Sequence, residues 1–213
     1  MNNDTHKRAK LVGDILDQLF PDPRPSLHFT DAFTLLTAVM LSAQCRDERV
    51  NEATAELFKV ANSPQRMAAL GEAGIYQYIR SLGLAKNKSK YLHKMNQQLM
   101  DHFHGQVPAD FKGLESLAGV GHKTASVVML QAFNIPAFPV DTHILRLSQR
   151  WGLSQGQTPE KVEVDLKRLF PAQDWGKRHL QFIECGRRYC KALGHKKEEC
   201  PVCQGLLLVR SLN

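Results

Sequence analysis

The stretch Leu114–Asp141, LESLAGVGHKTASVVMLQAFNIPAFPVD, decides the fold of this chain. Apolar residues at helical spacing lead into the turn Gly119-Val120-Gly121, and the segment 123–133 is again apolar on one helical face. The two glycines permit positive φ and the close approach of another backbone. The stretch therefore predicts two helices joined by a tight glycine turn.

The predicted turn has both a functional and a structural interpretation. Free N–H groups at the start of its second helix form a seat for phosphate, and such a hairpin grips a nucleic-acid backbone without reading bases. A G-x-G turn between helices is also common as a purely structural element. A P-loop is excluded, because His122 separates Gly121 from Lys123 and Ser116 stands where that motif needs its first glycine.

Composition favours a basic protein that works on a polyanion. The chain has 213 residues, 43% of them hydrophobic, and a formal net charge of +7. That length suffices for one sizeable core or two small ones. The charge favours nucleic-acid partners, although a solvated basic surface explains it as well. No run of roughly 18 apolar residues and no signal-peptide core appear, so we expect no membrane partner and a cytoplasmic location.

Apolar periodicity predicts helices along the chain and no convincing strand. Residues 31–43 predict a buried apolar helix with Asp31 as its N-cap, and Asp47 is the expected N-cap of the helix that follows. Short helices are expected at roughly 64–71 and 73–81. The pattern is that of an all-α protein.

Four blocks of the sequence resemble one protein family, in that family's order. LAGVGHKTA followed by PVDTHILRL resembles the endonuclease III family of helix-hairpin-helix DNA glycosylases, and FTLLTAVMLSAQCRDERVN, YIRSLGLAKNKSKYL and HGQVPADFKGLESLAGVGHKTA resemble other blocks of the same family. The resemblance covers nearly the whole chain. It implies the all-α, two-lobed helix-hairpin-helix DNA glycosylase fold.

That fold implies the division of the chain. One lobe is a six-helix barrel at 25–135 that ends in the hairpin at about 114–133. The second helical lobe joins residues 1–24 to residues 136–213 and carries the C-terminal cysteines. By resemblance, DNA lies across a cleft between the lobes.

The resemblance also implies a bifunctional DNA glycosylase and AP lyase of base excision repair. Such an enzyme removes oxidised pyrimidines from duplex DNA through a lysine Schiff base and β-elimination, so the expected partner is double-stranded DNA with damaged bases or abasic sites. We expect a monomer that works in the nucleoid. Two alternatives remain: a non-catalytic DNA-binding relative, and an adenine- or mismatch-specific glycosylase. Lys123 favours the lyase, because relatives that only release bases generally lack a lysine there.

Lys123 and Asp141 are the expected catalytic residues. A free lysine is almost fully protonated at neutral pH and is a poor nucleophile. Burial and a helix N-terminus both lower a lysine pKa, and we expect Lys123 to feel both. Asp141 would take up the amine's proton or stabilise positive charge on the sugar. Aspartate is also a favoured N-cap, so a capping role for Asp141 is the structural alternative.

Two further positions are implied to enter the duplex. By resemblance, Gln44 fills the hole left by the flipped nucleotide and Leu84 is the apolar wedge between bases. Helix capping at Gln44 and local packing at Leu84 are the alternatives. Cys45 is expected to be a small buried hydrophobe without a role. The lysines that follow Leu84 suit phosphate contacts, although a solvated helix start explains them as well: Lys86, Lys88 and Lys90.

The remaining expected DNA contacts surround the hairpin and the second lobe. The hairpin contributes its turn and the start of the following helix, and the second lobe contributes one histidine and one lysine. These residues are Gly119, Val120, Gly121, His122, Thr124, His143 and Lys191.

The cysteine pattern departs from that of the family. Four of five cysteines fall between 185 and 203, and such crowding in a reducing compartment suggests metal rather than disulfides. The family ends in C-x6-C-x2-C-x5-C, which holds a [4Fe-4S] cluster. Here Cys190-x9-Cys200-x2-Cys203 supplies three ligands, and the fourth position would be Val209. The metal set is therefore incomplete.

Two residues are weak candidates for the missing ligand. Cys185 lies five residues before Cys190, about 140° around a continuous helix and so on the wrong face. His195 stands in the enlarged loop between the cysteines. A cluster with an unusual fourth ligand, a lost cluster and zinc all remain open, and we expect loss. The chemistry expected of Lys123 needs no metal.

Overall fold

The protein is helical throughout the part that the structure, a computed structural model, describes. This part comprises residues 3–210, with side chains from 4 to 208, and it contains no β-strand. The all-α prediction is therefore confirmed. The helices are α1 (Asn3–Leu19), α2 (Ala32–Ser42), α3 (Asp47–Val60), α4 (Pro64–Ile79), α5 (Ala85–Phe103), α6 (Phe111–Glu115), α7 (His122–Phe133), α8 (Thr142–Arg150), α9 (Pro159–Leu169), α10 (Trp175–Arg188) and α11 (Pro201–Arg210).

The chain divides into two compact units. One unit is Pro25–Ile135 and contains α2 to α7, six helices in all. The other joins the residues up to Arg24 to those from Pro136 onward, and it contains α1 and α8 to α11. Among the helices described, none has the length and apolar character needed to cross a bilayer.

Helix α2 forms the centre of the first unit. Asp31 caps it, because its Oδ1 accepts a hydrogen bond from the Thr34 amide at 2.8 Å, and the Thr34 hydroxyl lies 3.0 Å from the Asp31 amide in return. The nine residues that follow Ala32 are all buried. The prediction of a buried, Asp31-capped helix is confirmed.

One sequence prediction in this unit needs adjustment, and another is confirmed. Asp47 is the first residue of α3 rather than its cap; Arg46 occupies the cap position, and the Ser26 hydroxyl donates to Asp47 Oδ2 at 2.6 Å. Helix α4 is interrupted at Gly71, where φ is 70° and ψ is 170°, so the two short helices predicted there are present on either side of this residue. A glycine satisfies the left-handed backbone at this point without strain.

Polar side chains on α10 hold α1 in the second unit. The guanidinium of Arg178, 8% exposed, donates to the Gly13 carbonyl at 3.0 Å and to Asp17 Oδ2 at 2.8 Å. The Gln181 amide donates to the Leu16 carbonyl at 3.1 Å and the Phe20 carbonyl at 2.9 Å. These bonds join α10 to backbone carbonyls in the C-terminal half of α1 and just beyond its end. The chain's beginning is thereby fixed to its C-terminal third.

Asp17 carries the charge that balances Arg178. Partial burial works to raise the pKa of Asp17, but hydrogen bonds from Arg178, Lys177 and Gln181 outweigh it and hold that pKa well below its usual range. A carboxyl group with a depressed folded-state pKa stabilises the fold above its unfolded pKa of about 4. This stabilisation is lost as the pH falls below that value.

We predict that Asp17→Asn lowers the free energy of unfolding at pH 7 by about 1–2 kcal/mol, a discounted value because the Asp17 side chain is 37% exposed. Urea unfolding at pH 7 and pH 3 should show the difference from wild type shrinking in acid. Asp14→Asn, which breaks only the exposed pair with Lys10, serves as the control. An equal loss in both variants would contradict this role for Asp17.

Candidate functional site

The predicted hairpin is present, and Gly119 is the residue that makes it possible. Helix α6 ends at Glu115, and the chain turns with φ 79° at Gly119 before α7 begins at His122. A Cβ atom at Gly119 would lie 2.9 Å from Met40 Cε and 3.0 Å from Tyr91 Cβ. Both the left-handed backbone and the close packing therefore require glycine here.

Gly121 differs from Gly119 in both respects. Its φ is −100°, so the prediction of a positive φ holds only for Gly119. No atom lies within 4 Å of the position that a Gly121 Cβ would take. The backbone at Gly121 faces open space, where another molecule's backbone can approach it.

A glutamine on α5 holds the turn from outside the hairpin. Gln98 donates from Nε2 to the Ser116 carbonyl at 3.1 Å and accepts at Oε1 from the Ala118 amide at 2.7 Å. Val120 is buried, 7% exposed, so only its backbone can reach a ligand. Sequence reasoning missed Gln98, because nothing in its spacing marks it apart from other polar residues on α5.

The first turn of α7 presents three of the expected site residues. His122 is exposed, its Nδ1 lies 2.7 Å from Glu115 Oε1, and its ring stacks on Phe111 at 5.3 Å. Lys123 is exposed and Thr124 is half-buried. The burial expected at Lys123 is therefore wrong for the protein without DNA, whereas its place at a helix N-terminus is as predicted.

The structure brings Gln44 and Leu84 into neighbouring loops. Both have left-handed backbone, with φ of 56° and 60°, and both side chains are exposed, Leu84 by 54%. A Cβ at Gly83 would lie 3.7 Å from Cys45 Sγ and 3.8 Å from the Gln44 carbonyl. Non-glycine residues in this conformation carry strain. Gln44 and Leu84 thus have strained backbones, and their exposed side chains project from adjacent turns of one unit.

A buried lysine joins these two loops. The amine of Lys88, whose residue is 6% exposed, donates to the Leu41 carbonyl at 2.9 Å and to Cys45 Sγ at 3.0 Å. The expected phosphate contact of Lys88 is therefore wrong, although Lys86 and Lys90 are exposed. The assignment of Cys45 as a buried hydrophobe is also wrong, because its half-buried thiol is a hydrogen-bond partner.

In the other unit, Asp141 caps α8. Its Oδ1 accepts from the Ile144 amide at 2.8 Å, which is the predicted capping interaction. A carboxylate has two oxygens, so Asp141 keeps a second oxygen that this capping bond does not use. Half-buried His143 follows; burial outweighs the Asp141 carboxylate and lowers its pKa, and Arg146 and Arg187 lower it further. The lowered pKa favours the neutral imidazole of His143.

Four potential metal ligands converge at the end of the chain. The ligand atoms of Cys190, His195, Cys200 and Cys203 all lie within 4.8 Å of one another. His195 thus lies where a fourth potential ligand was lacking from the cysteine spacing, and this group could hold a metal. Val209 lies in α11, and its side chain is outside the described part of the chain.

Cys185 and Lys191 flank this ligand group without belonging to it. Cys185 is fully buried in the hydrophobic core, and a hydrogen bond with Cys200, together with burial, raises the pKa of its thiol. Lys191 is exposed, and its carbonyl accepts from Arg150 at 2.9 Å.

Comparison with known proteins gives consistent similarities. A family model for the HhH-GPD superfamily base excision DNA repair protein matches residues 37–172. Endonuclease III of Treponema pallidum is 45% identical over 195 residues, which cover 90% of this chain and 92% of the relative. Endonuclease III of Escherichia coli K12 is 42% identical over 183 residues, which cover 86% and 85%.

Solved structures show the same likeness. A trapped covalent intermediate of endonuclease III with DNA has a TM-score of 0.89 and 37% identity, and the match covers 95% of this chain and 94% of that one. A thermostable thymine-DNA glycosylase has a TM-score of 0.82 at 21% identity, which shows a shared fold alone.

We predict that Lys88→Met lowers the free energy of unfolding by about 1–3 kcal/mol, because it leaves the Leu41 carbonyl buried without its donor. Lys90→Met, on the exposed side of the same helix, should stay within about 0.5 kcal/mol of wild type. Chemical denaturation measures both. Equal stability of the two variants would contradict the importance of the buried bond.

Proposed function

This chain belongs to the HhH-GPD superfamily of base excision DNA repair proteins and to its endonuclease III family, and on that basis we propose how its own residues act. It is a DNA glycosylase with AP-lyase activity. Oxidised pyrimidines in duplex DNA, and abasic sites, are the substrates we propose.

The reaction is proposed to begin when the damaged nucleotide leaves the stack. The neutral Lys123 amine forms a bond to the sugar C1′ while the bond from C1′ to the base breaks, and the base leaves with that electron pair and takes up a proton. The nitrogen then loses a proton, the C1′–O4′ bond breaks, O4′ takes the electron pair and a proton, and the nitrogen and C1′ are left as a Schiff base. Loss of a C2′ proton then expels the 3′ phosphate, which is β-elimination.

The exposure of Lys123 beside the open backbone of Gly121 is the observation that carries this proposal. Free amides at the start of α7 can hold a phosphate of the bound strand. Lys123 lies in the same first turn of α7, so its amine would lie within the length of one nucleotide of that phosphate. Bound DNA would exclude water from the lysine, which supplies the desolvation that the free protein lacks.

Gln44 and Leu84 are proposed to occupy the space that the flipped nucleotide leaves. Leu84 is an apolar side chain held out of its own unit's core, which suits insertion between bases. Gln44 carries donors and an acceptor that suit an orphaned base. The two act from loops that Lys88 ties together.

The remaining contacts are proposed to bind the DNA backbone. The hairpin is proposed to bind phosphate through its backbone at Gly119 and Gly121, with His122 and Thr124 beside them. The Val120 amide donates to the Leu117 carbonyl at 3.1 Å, so Val120 would contribute to the shape of the turn. His143 and Lys191 are proposed as contacts of the other unit. The net charge of +7 supports binding to chromosomal DNA in the nucleoid, and we propose a monomer as the working form.

The proposed steps use the Lys123 amine, and none of them needs a metal. The family's [4Fe-4S] cluster therefore has no assigned part in the chemistry, and the loss expected from the cysteine spacing would leave the nucleophile in place.

We predict that Lys123→Ala abolishes covalent capture on abasic duplex DNA in the presence of borohydride, which reduces the Schiff base to a stable amine. Gel electrophoresis measures the captured product. Lys94→Ala, which removes an exposed lysine on α5, should be captured like wild type. Lys123→Ala should still bind the same DNA, because the fold and the hairpin amides remain.

Undiminished capture by Lys123→Ala would show that another amine is the nucleophile. Absence of capture by wild type, with DNA binding intact, would identify the non-catalytic relative instead. A panel of duplexes with oxidised pyrimidines or mismatched adenine distinguishes the proposed substrates from those of an adenine- or mismatch-specific glycosylase.

We predict that Asp141→Asn lowers the single-turnover glycosylase rate by about 10²- to 10⁴-fold while the melting temperature stays within about 2 °C of wild type. Asparagine caps a helix as well as aspartate does, so this change separates capping from charge. Asp141→Ala should lose both the rate and about 1 kcal/mol of stability. A fully active Asp141→Asn variant would reduce Asp141 to a cap.

A further inference from the structure

The geometry of the three-cysteine, one-histidine group defines what it can hold. Cys190 Sγ lies 3.9 Å from Cys203 Sγ, and His195 Nε2 lies 3.5 Å from each of these sulfurs. All five cysteines of the chain are free. The sulfurs are therefore too far apart for a disulfide and close enough to share one ion.

These distances match the edges of a tetrahedron around one zinc ion. With Zn–S of about 2.3 Å and Zn–N of about 2.0 Å, two thiolate sulfurs lie about 3.8 Å apart and a sulfur and an imidazole nitrogen about 3.5 Å apart. A four-iron cluster spreads its ligands over separate iron atoms, which holds the ligand atoms farther apart. The group therefore does not fit the cluster that the family pattern implies.

We propose that Cys190, His195, Cys200 and Cys203 form a closed structural site for a single Zn²⁺ ion. The ligand types are those of structural zinc sites with three thiolates and one imidazole. Cys190 and Cys200 are fully buried, Cys203 is 7% exposed, and His195 closes the site on its outer side. With no position left for water, the ion has no part in the DNA chemistry.

The surrounding residues suit the charge of such a site. Three thiolates, one neutral imidazole and Zn²⁺ sum to one negative charge. The Arg150 guanidinium lies 3.3 Å from Cys190 Sγ, and Arg146 donates to the Cys190 carbonyl at 3.1 Å. Cations and donors of this kind around metal ligands fix their orientation and balance their charge.

The local backbone explains why these four residues meet. Cys200 immediately precedes α11 and Cys203 lies one turn into it, so C-x2-C presents both sulfurs on one side of the helix start. Cys190 follows the end of α10, and the left-handed turn at Gly194, φ 66°, brings His195 back to it. The loop between Cys190 and Cys200 is three residues longer than the first gap of the family pattern, and this extra length accommodates His195.

The ion would fasten α11 to the rest of its unit. A Cβ at Gly205 would lie 2.6 Å from Ile15 Cδ1, so α11 packs closely against α1, and Leu206 packs on the core. Leu207 and Leu208 are 45% and 66% exposed, so this helix gains little from its own apolar end. Metal ligation would therefore add an attachment at the start of α11 to the packing of Gly205 and Leu206.

The test is metal analysis of the whole protein, purified without oxygen from cells supplied with both iron and zinc. We expect about one zinc ion per chain and no iron–sulfur absorption. Removal of zinc should lower the melting temperature by more than about 5 °C, and added Zn²⁺ should restore it. About four irons with equal sulfide per chain, or no bound metal at all, would overturn the proposal.

Variants identify the ligands. His195→Gln and Cys203→Ser should lose zinc, whereas the exposed-histidine control His6→Gln and the cysteine variants Cys45→Ser and Cys185→Ser should keep it. Substitution with Co²⁺ gives a second measurement: wild type should show the visible bands of a tetrahedral ion, and His195→Cys should retain them with stronger thiolate-to-cobalt absorption. Zinc retained by His195→Gln with an unchanged cobalt spectrum would remove His195 from the site.

Discussion

The close approach of α2 and α5 to Gly119 is the constraint from which the DNA-facing surface follows. Met40 and Tyr91 pack where a side chain at this turn would have to be, and φ is in the left-handed region. Because the turn is so tight, α7 starts only three residues later, and Lys123 falls in its first turn, exposed. Gln98 satisfies the turn's amide and carbonyl from outside, so the hairpin needs no partner to keep its shape.

The sequence predicted this region well because its signals are local. Glycine spacing, helical periodicity and capping residues act over a few positions, and the positions of α2, the hairpin and the Asp141 cap followed from them. Helix ends were less predictable: α6 begins at Phe111, before the apolar pattern that marks the hairpin, and Asp47 begins α3 instead of capping it. Such ends depend on packing partners that are remote in sequence.

Predictions for single side chains were wrong where burial depends on another element. Lys86, Lys88 and Lys90 look alike in the sequence, yet only Lys88 turns inward, because the carbonyl at the end of α2 and the Cys45 thiol lie 43 to 47 positions away in the chain. The same bond gives Cys45 a partner that no local pattern marks. A buried amine that satisfies a helix-end carbonyl fixes both loops that carry left-handed, exposed residues, at Gln44 and Leu84. This rigidity suits side chains proposed to enter a base stack.

The C-terminal ligand group shows how a family pattern can mislead. Counting cysteines against C-x6-C-x2-C-x5-C leaves one position without a ligand, and loss of metal is then the natural expectation. Ligation depends on where the donor atoms lie in space. The longer loop between Cys190 and Cys200 brings the imidazole of His195 to the thiols, in place of the fourth cysteine of the family pattern. A departure in spacing and a change in ligand type therefore compensate each other. They do so only for a site whose ligands share one ion, because one imidazole in contact with two sulfurs leaves no room for a four-iron core between them.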